Sequence, residues 1–279
     1  MTIIVLFVLG IPALATLLTY TLFCYEEANR TGQDLGYFLK LGSLAAIRSA
    51  LSEALVLALH PLGLWPGLWR DAQPGTAPVV VMVHGLFHNP SAWILFRRWF
   101  HARGFATACI GYSSWGAADL DQTIANVRQR VERIRQEHPG REIHLLGHSL
   151  GGLLLRAAVA ELSCCPEIKT LTTLGAPFQG SKLAPFALHS LGRFIWHESP
   201  TIRRLAALPF PKSIQGLALW SRADNMVLPT SALRCPIPGW KNQKTADISH
   251  IAMLHSREIF EETLRTIQAA RQEPRGSMN

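Results

Sequence analysis

The chain has 279 residues, 48% of them hydrophobic and only 16% charged, which is enough to bury a sizeable core and low in charge for a soluble globular protein. Its formal net charge of +8 is dispersed rather than clustered, which argues against a nucleic-acid partner and suits a protein held against anionic lipid headgroups. Five cysteines, Cys24, Cys109, Cys164, Cys165 and Cys235, have the spacing of neither a disulfide framework nor a metal site; their odd number fits unpaired thiols, with Cys164 and Cys165 as packing residues.

Residues 3–23 come first in chain order. They carry no charge and have about the ~20-residue length that crosses a bilayer, so a transmembrane helix is expected to anchor the chain over residues 1–24. Tyr20 and Tyr25 suit a membrane interface, and Pro12 is tolerated within a membrane helix. A cleaved signal peptide is the competing reading; against it stand the missing basic n-region and an apolar run that continues past Ala13 and Ala15. No Lys or Arg precedes the span, whereas Arg30 and Lys40 follow it. That asymmetry puts the rest of the chain on the cytoplasmic side, with the periplasmic or secreted side as the alternative. Residues 25–77 read as a helical and then irregular juxtamembrane region. Within it, residues 45–60 form a candidate amphipathic helix, and Trp65 and Trp69 fit either a lipid interface or a core.

After Pro78, short apolar runs alternate with longer amphipathic ones. Strands are expected at residues 79–83, 105–110, 142–146, 170–174 and 217–220, with a weak one near 245–248. Helices are expected at about 91–102, 119–136, 150–162 and 256–270. This alternation implies an α/β domain over residues 78–271, a mainly parallel, doubly wound sheet flanked by helices, followed by a C-terminal tail over 272–279. In the helix at 119–136 the apolar residues Leu120, Ile124, Val127, Val131 and Ile134 recur at helical spacing, which leaves Arg128, Arg130, Arg133 and Arg135 mostly on the solvated face.

The chemistry is carried by GHSLG, Gly147 to Gly151, with the strand-like EIHLL before it and the helix-forming LGGLLLRAAVA overlapping and following it. Strand, tight turn and helix together make an elbow that presents a serine nucleophile, here Ser149. A serine hydroxyl is a poor nucleophile at neutral pH, so it needs a histidine base and an acid to orient that base. With such an elbow these follow in the order Ser, acid, His. Among Glu161, Glu167, Glu198, Asp224 and Asp247, only Asp224 follows a strand candidate directly. His250, in a loop before the last helix, is favoured over His255, which falls at or inside that helix. His148 neighbours the nucleophile but points elsewhere on the turn, so a structural role is expected. The backbone N–H of Leu150 and that of Leu86, with Phe87 next in line, are the candidate oxyanion donors. His84 and His88 lack the carboxylates or thiols that would make a metal site with them, and no cofactor is implied.

From about Val79 onward the chain resembles bacterial lipases and esterases of the α/β-hydrolase fold. The resemblance rests on VMVHGLFHNPSAW (81–93), GHSLGG (147–152), LGAPFQGSKLA (174–184), SRADNMVLP (221–229) and SHIAMLHS (249–256), which cover roughly 200 residues in order. It implies Ser149, Asp224 and His250 as catalytic triad and Leu86 as an oxyanion donor. Ala176 departs from the family pattern in a segment that shapes the cleft. Residues 179–213 would then be a helical lid insertion, with short helices at 182–194 and 199–208. Its Phe186, Leu191, Phe194, Ile195 and Trp196 would meet an acyl chain or the membrane, or else pack on the core. The expected protein is a membrane-anchored serine hydrolase of carboxylic esters, with an ester or lipid as its substrate. A thioesterase, lipid deacylase or acyltransferase would use the same triad, and a non-catalytic binding protein would use the fold alone.

Overall fold

The computed structural model describes residues 6–69, 75–115, 119–162, 165–187 and 191–272. Its centre is a six-stranded, wholly parallel sheet in the order β2-β1-β3-β4-β5-β6. The strands are β1 (Val79–Val83), β2 (Ala106–Ile110), β3 (Ile143–His148), β4 (Ile168–Leu174), β5 (Gln215–Trp220) and β6 (Lys241–Lys244). In β1 every residue is buried, and the alternation divides the strand between two cores. Val79, Val81 and Val83 pack on one face, with Val127, Val131 and Ile134 of the helix Leu120–Glu137 and most of the helix Leu150–Val159. Val80 and Met82 pack on the other, with Phe96 and Phe100 of Ile94–His101 and with Ile259, Phe260 and Ile267 of Arg257–Gln272. Parallel strands buried on both faces are what near-continuous Val/Ile/Leu runs fold into once helices cover each side.

The expected weak strand at 245–248 lies elsewhere: β6 begins at Lys241 and ends at Lys244. It is an edge strand paired on one side only, its KNQK side chains mostly exposed, so no apolar alternation marks it. Lysines at the edge also blunt further strand pairing. Thr245 N–H donates to the Trp220 carbonyl at 2.9 Å, and Ile248 beyond it is a buried loop residue.

The region before the sheet is a helical hairpin, α1 (Ile11–Thr31) and α2 (Leu35–Leu59), closed by Gly32 in the left-handed conformation (φ 68°) and by Asp34, whose carboxylate accepts the Gly36 N–H at 2.7 Å. The first helix therefore runs past residue 24, and the second begins ten residues before the expected position 45. Both lie against the domain. Both helices are long and apolar enough to cross a membrane by length and composition, a test that a core helix or a signal sequence also passes. The remaining helices are α3 (Ile94–His101), α4 (Leu120–Glu137), α5 (Leu150–Val159), α6 (Pro200–Ala207) and α7 (Arg257–Gln272).

Within residues 179–213 the expected helix at 182–194 is replaced by two single-turn 3-10 segments, Ala184–Phe186 and Leu191–Ile195; residues 188–190 lie outside the described part. Proline at 185 and Gly192 suit short turns better than a continuous helix. The second expected helix is α6, capped by the Ser199 side chain on the Ile202 N–H at 3.2 Å. Leu191, Ile195, Ile202 and Leu205 pack into the core, while Phe186 and Trp196 are exposed.

Candidate active site

The sheet order reverses direction at β1, with β2 on one side and β3 on the other. The carboxyl ends of β1 and β3 therefore flank the crevice where ligands bind in open parallel sheets. Ser149 directly follows β3 and is the N-cap of α5, with φ 52° and ψ −125°. A non-glycine residue is rarely held there, and such strain concentrates at functional sites. Small neighbours make the turn possible: a Cβ on Gly147 would lie 2.5 Å from Gly152 Cα, and one on Gly151 would lie 2.3 Å from the Val83 carbonyl oxygen. The Ser149 N–H is fixed by the Leu174 carbonyl at 2.9 Å.

Asp224 and His250 meet beside the next residue, Gly175. The Asp224 carboxylate is fully buried; its Oδ2 lies 2.6 Å from His250 Nδ1, and its Oδ1 accepts the Met226 and Val227 N–H groups, each at 2.9 Å. A Cβ on Gly175 would fall 3.0 Å from His250 Nδ1 and 3.2 Å from Asp224 Oδ2. The Leu174–Gly175 corner therefore holds the serine backbone on one side and the Asp–His pair on the other. With Nδ1–H donated to Asp224, His250 presents Nε2 as its basic nitrogen. Asp224 thus bonds His250 and not His255. His255 stands at the end of the 3-10 turn Ile251–His255, where burial pushes its pKa down to about 4. Asp247 is engaged at the surface with Arg222 at 2.7 Å.

Leu150 is the first residue of α5, so its N–H has no acceptor within the helix and points from the positive end of the helix dipole. The turn after β1 approaches from the other side: a Cβ on Gly85 would lie 3.0 Å from Ser149 Cβ. Phe87, the second choice from sequence, is in the left-handed region (φ 61°) and already donates its N–H to Ser114 Oγ at 3.0 Å. Leu86 precedes it on the same turn. Leu86 is itself covered by the 3-10 turn at Gly192, whose Cβ would lie 3.0 Å from Leu86 Cδ2.

Histidines line the back of this site in neutral form. His84 donates from Nδ1 to the Gly85 carbonyl at 2.9 Å and accepts the Tyr112 N–H on Nε2 at 3.3 Å, so both ring nitrogens are occupied; burial lowers its pKa to about 4. His148 donates from Nε2 to the His250 carbonyl at 3.1 Å, with the two rings 4.7 Å apart, and burial holds its pKa well below the ordinary range. It braces the backbone of the candidate base, a structural position. His88 stacks on His148 at 5.8 Å, and burial lowers its pKa to about 3.

Sequence reading missed the N-terminal hairpin as part of this site. Tyr20 OH donates to the Ala223 carbonyl at 2.9 Å, and the Asn225 amide donates to Thr19 Oγ1 at 2.8 Å. The Thr230 N–H is accepted by buried Glu27 at 2.7 Å. Tyr20, Phe23 and Phe38 pack with Ala223 and Leu228, the residues flanking the Asp224 turn. Asn225 also accepts the His250 N–H at 3.3 Å, so one side chain ties the hairpin to the base. The sequence signal was available in the polar positions Thr16, Tyr20 and Glu27, spaced four and seven apart as on one face of a helix.

Residues 80–267 match the Alpha/beta hydrolase family. Among solved structures, the chain is similar to a lipase from Bacillus licheniformis in mature form, with a TM-score of 0.59 and 17% identity over 72% of this chain and 97% of that one. It is similar also to a monoacylglycerol lipase from Paleococcus ferrophilus, with a TM-score of 0.53 and 16% identity over 71% and 96%. Est1E from Butyrivibrio proteoclasticus has a TM-score of 0.55 and 15% identity over 73% and 93%. At these identities the likeness is one of fold. No curated protein sequence matches the chain at a significant level.

Proposed function

The chain belongs to the alpha/beta hydrolase family, and from that premise we propose that it is a serine hydrolase of carboxylic esters, acting on a lipid-like substrate while held at a membrane by its N-terminal helices. Ser149 Oγ attacks the ester carbonyl as His250 Nε2 takes its proton. The N–H groups of Leu150 and Leu86 hold the oxyanion. Collapse breaks the bond to the alcohol, which leaves with the proton from His250, and the acyl group stays on Ser149. Water, deprotonated by His250, then releases the acid. Asp224 keeps Nδ1–H in place and stabilises the imidazolium. The segment 179–213 covers Leu86 and acts as the lid over the acyl group.

The observation that carries this reading is the buried Asp224–His250 bond of 2.6 Å beside the corner that fixes Ser149. Two of the similar structures are a lipase and a monoacylglycerol lipase, which supports an ester substrate. The test is a fluorophosphonate probe on the folded full chain. Labelling at Ser149, lost in Ser149→Ala together with turnover of p-nitrophenyl esters, is expected. Unlabelled Ser149 in folded protein would overturn the reading, and a strong preference for thioesters over oxygen esters would replace the ester assignment.

A further inference from the structure

The outer face of the hairpin is a large feature that the ester chemistry does not use, and its patterning is the reverse of a soluble helix. Toward the domain α2 turns Ala45, Ser49, Ser52 and Val56, spaced four, three and four; Leu44, Ile47, Leu51 and Leu55 face outward. On α1, Thr16, Tyr20, Phe23 and Glu27 are buried, while Leu14, Leu17, Leu18 and Tyr25 are exposed. Sixteen of the nineteen exposed large hydrophobic side chains among the described residues lie between Leu9 and Leu68. A contiguous apolar surface of this kind marks an interaction site.

We propose that the hairpin is a monotopic membrane seat: it lies along one leaflet with its outer face among the acyl chains, and its turn at residues 32–34 stays on the same side of the bilayer as the catalytic domain. This deepens the membrane-held reading above and rests on it. Three observations favour lying over crossing. The domain touches α2 from Tyr37, which accepts a bond from Arg222, to Val56 in the core against α3 and α7. At 1.5 Å per residue that is about 28 Å of helix, close to the ~30 Å of a bilayer's hydrocarbon. A crossing hairpin would carry the domain, with the Arg222–Asp247 pair, into that hydrocarbon. Second, exposed Arg48 sits at the middle of α2 among Leu44, Ile47 and Leu51. That is the costliest depth for a cation in a spanning helix, but at an interface its side chain reaches the headgroups. Third, Lys40 and Arg48 are exposed on α2, while Arg30 is paired with Glu27 at 2.6 Å and the exposed acid of the hairpin, Asp34, caps α2. The charge suits anionic headgroups, and a second copy docked across a two-fold axis would face it with like charge. Trp65, beyond α2, is exposed and suited to the headgroup level. Lys182, which opens the segment over Leu86, pairs with Glu26 of α1, so the seat is continuous with the cover of the candidate site.

Flotation of the full chain with phosphatidylcholine vesicles, with and without phosphatidylglycerol, reads binding. Gln33→Cys and Lys212→Cys, probed with a membrane-impermeant maleimide in sealed right-side-out and inverted cell membranes, read topology. The expected result is flotation strengthened by phosphatidylglycerol, with both cysteines labelled from the same side. Leu44→Asp and Ile47→Asp should each lower the vesicle-bound fraction about tenfold or more, with turnover of a water-soluble short ester unchanged. Gln33→Cys labelled only from the side opposite Lys212→Cys would overturn the seat while keeping membrane attachment. Absence of flotation, or a dimer that Leu44→Asp splits, would overturn membrane attachment itself. Fluorophosphonate labelling of Ser149, measured on the same samples, reports the hydrolase reading separately.

Discussion

Asp224 uses its two carboxylate oxygens differently: one is held by the Met226 and Val227 N–H groups, and the other faces His250 Nδ1. In Asp224→Asn the amide carbonyl can keep the first pair of bonds, but its NH2 then faces His250 and forces the proton onto Nε2. We expect kcat for ester hydrolysis to fall about 10⁴-fold with KM little changed, and Ser149 labelling to slow in parallel while the melting temperature stays close to that of the parent. An unchanged kcat would remove Asp224 from the proposed triad. Gly85 tests the neighbouring turn. A methyl group there would sit 2.8 Å from His148 Nδ1 and 3.0 Å from Ser149 Cβ, so the turn that carries Leu86, the proposed oxyanion donor, must shift. A misplacement of that order lowers kcat by roughly 10²-fold, so steady-state kinetics of Gly85→Ala should show a defect in kcat rather than KM. At this scale Ser149 and Asp224 are nominated from the strand patterns before them, whereas the strand expected just before His250 is a loop, and β6 ends six residues earlier at Lys244. The Phe87 N–H shows the limit: only the folded turn reveals that Ser114, 27 residues away, already holds it.

At the scale of elements, the hairpin and the acid turn act as a unit. Asn225 bonds Thr19 on α1 and the His250 backbone, so Asn225→Ala leaves the buried His250 N–H without its acceptor and breaks the tie to Thr19, whose hydroxyl keeps its bonds to the Ala15 and Thr16 carbonyls. The loss is expected to cost about 1–3 kcal/mol, read as a lower melting temperature. Because the freed N–H belongs to His250, kcat should drop as well, and Asn225→Asp, which keeps an acceptor for that N–H, should recover more activity than Asn225→Ala. Equal activity in the two variants would mean that Asn225 serves the hairpin contact alone. Periodicity over residues 3–23 and 45–60 announced apolar helices. It did not announce that their polar positions face the catalytic loop, since a hydropathy pattern records which side is apolar and not what lies against the other.

Across the whole molecule, neutral buried histidines set the acid limit. The pKa of His84 and His255 is lowered to about 4 and that of His88 and His144 to about 3, in each case by burial, from an ordinary value of 6.5. Their folded values lie below the unfolded one, so the unfolded chain binds more protons between them. The stability they contribute is complete above pH 6.5 and is lost as pH falls toward 4 and then 3. A series of melting temperatures from about pH 8 downward should stay level to about 6.5 and then decline steeply; a level curve to pH 4 would show that these rings are solvated. The sequence nominates Ser149, Asp224 and His250; what it determined by itself is the parallel α/β domain and the strand–turn–helix over residues 143–159. Those follow from short-range rules of alternation, turn chemistry and element order, which act within a few residues. What only the tertiary structure decided is the convergence of those residues on the Leu174–Gly175 corner, the edge strand at Lys241–Lys244, and the docking of α1 and α2 on the acid turn. These depend on contacts between segments up to two hundred residues apart, which local patterning does not encode.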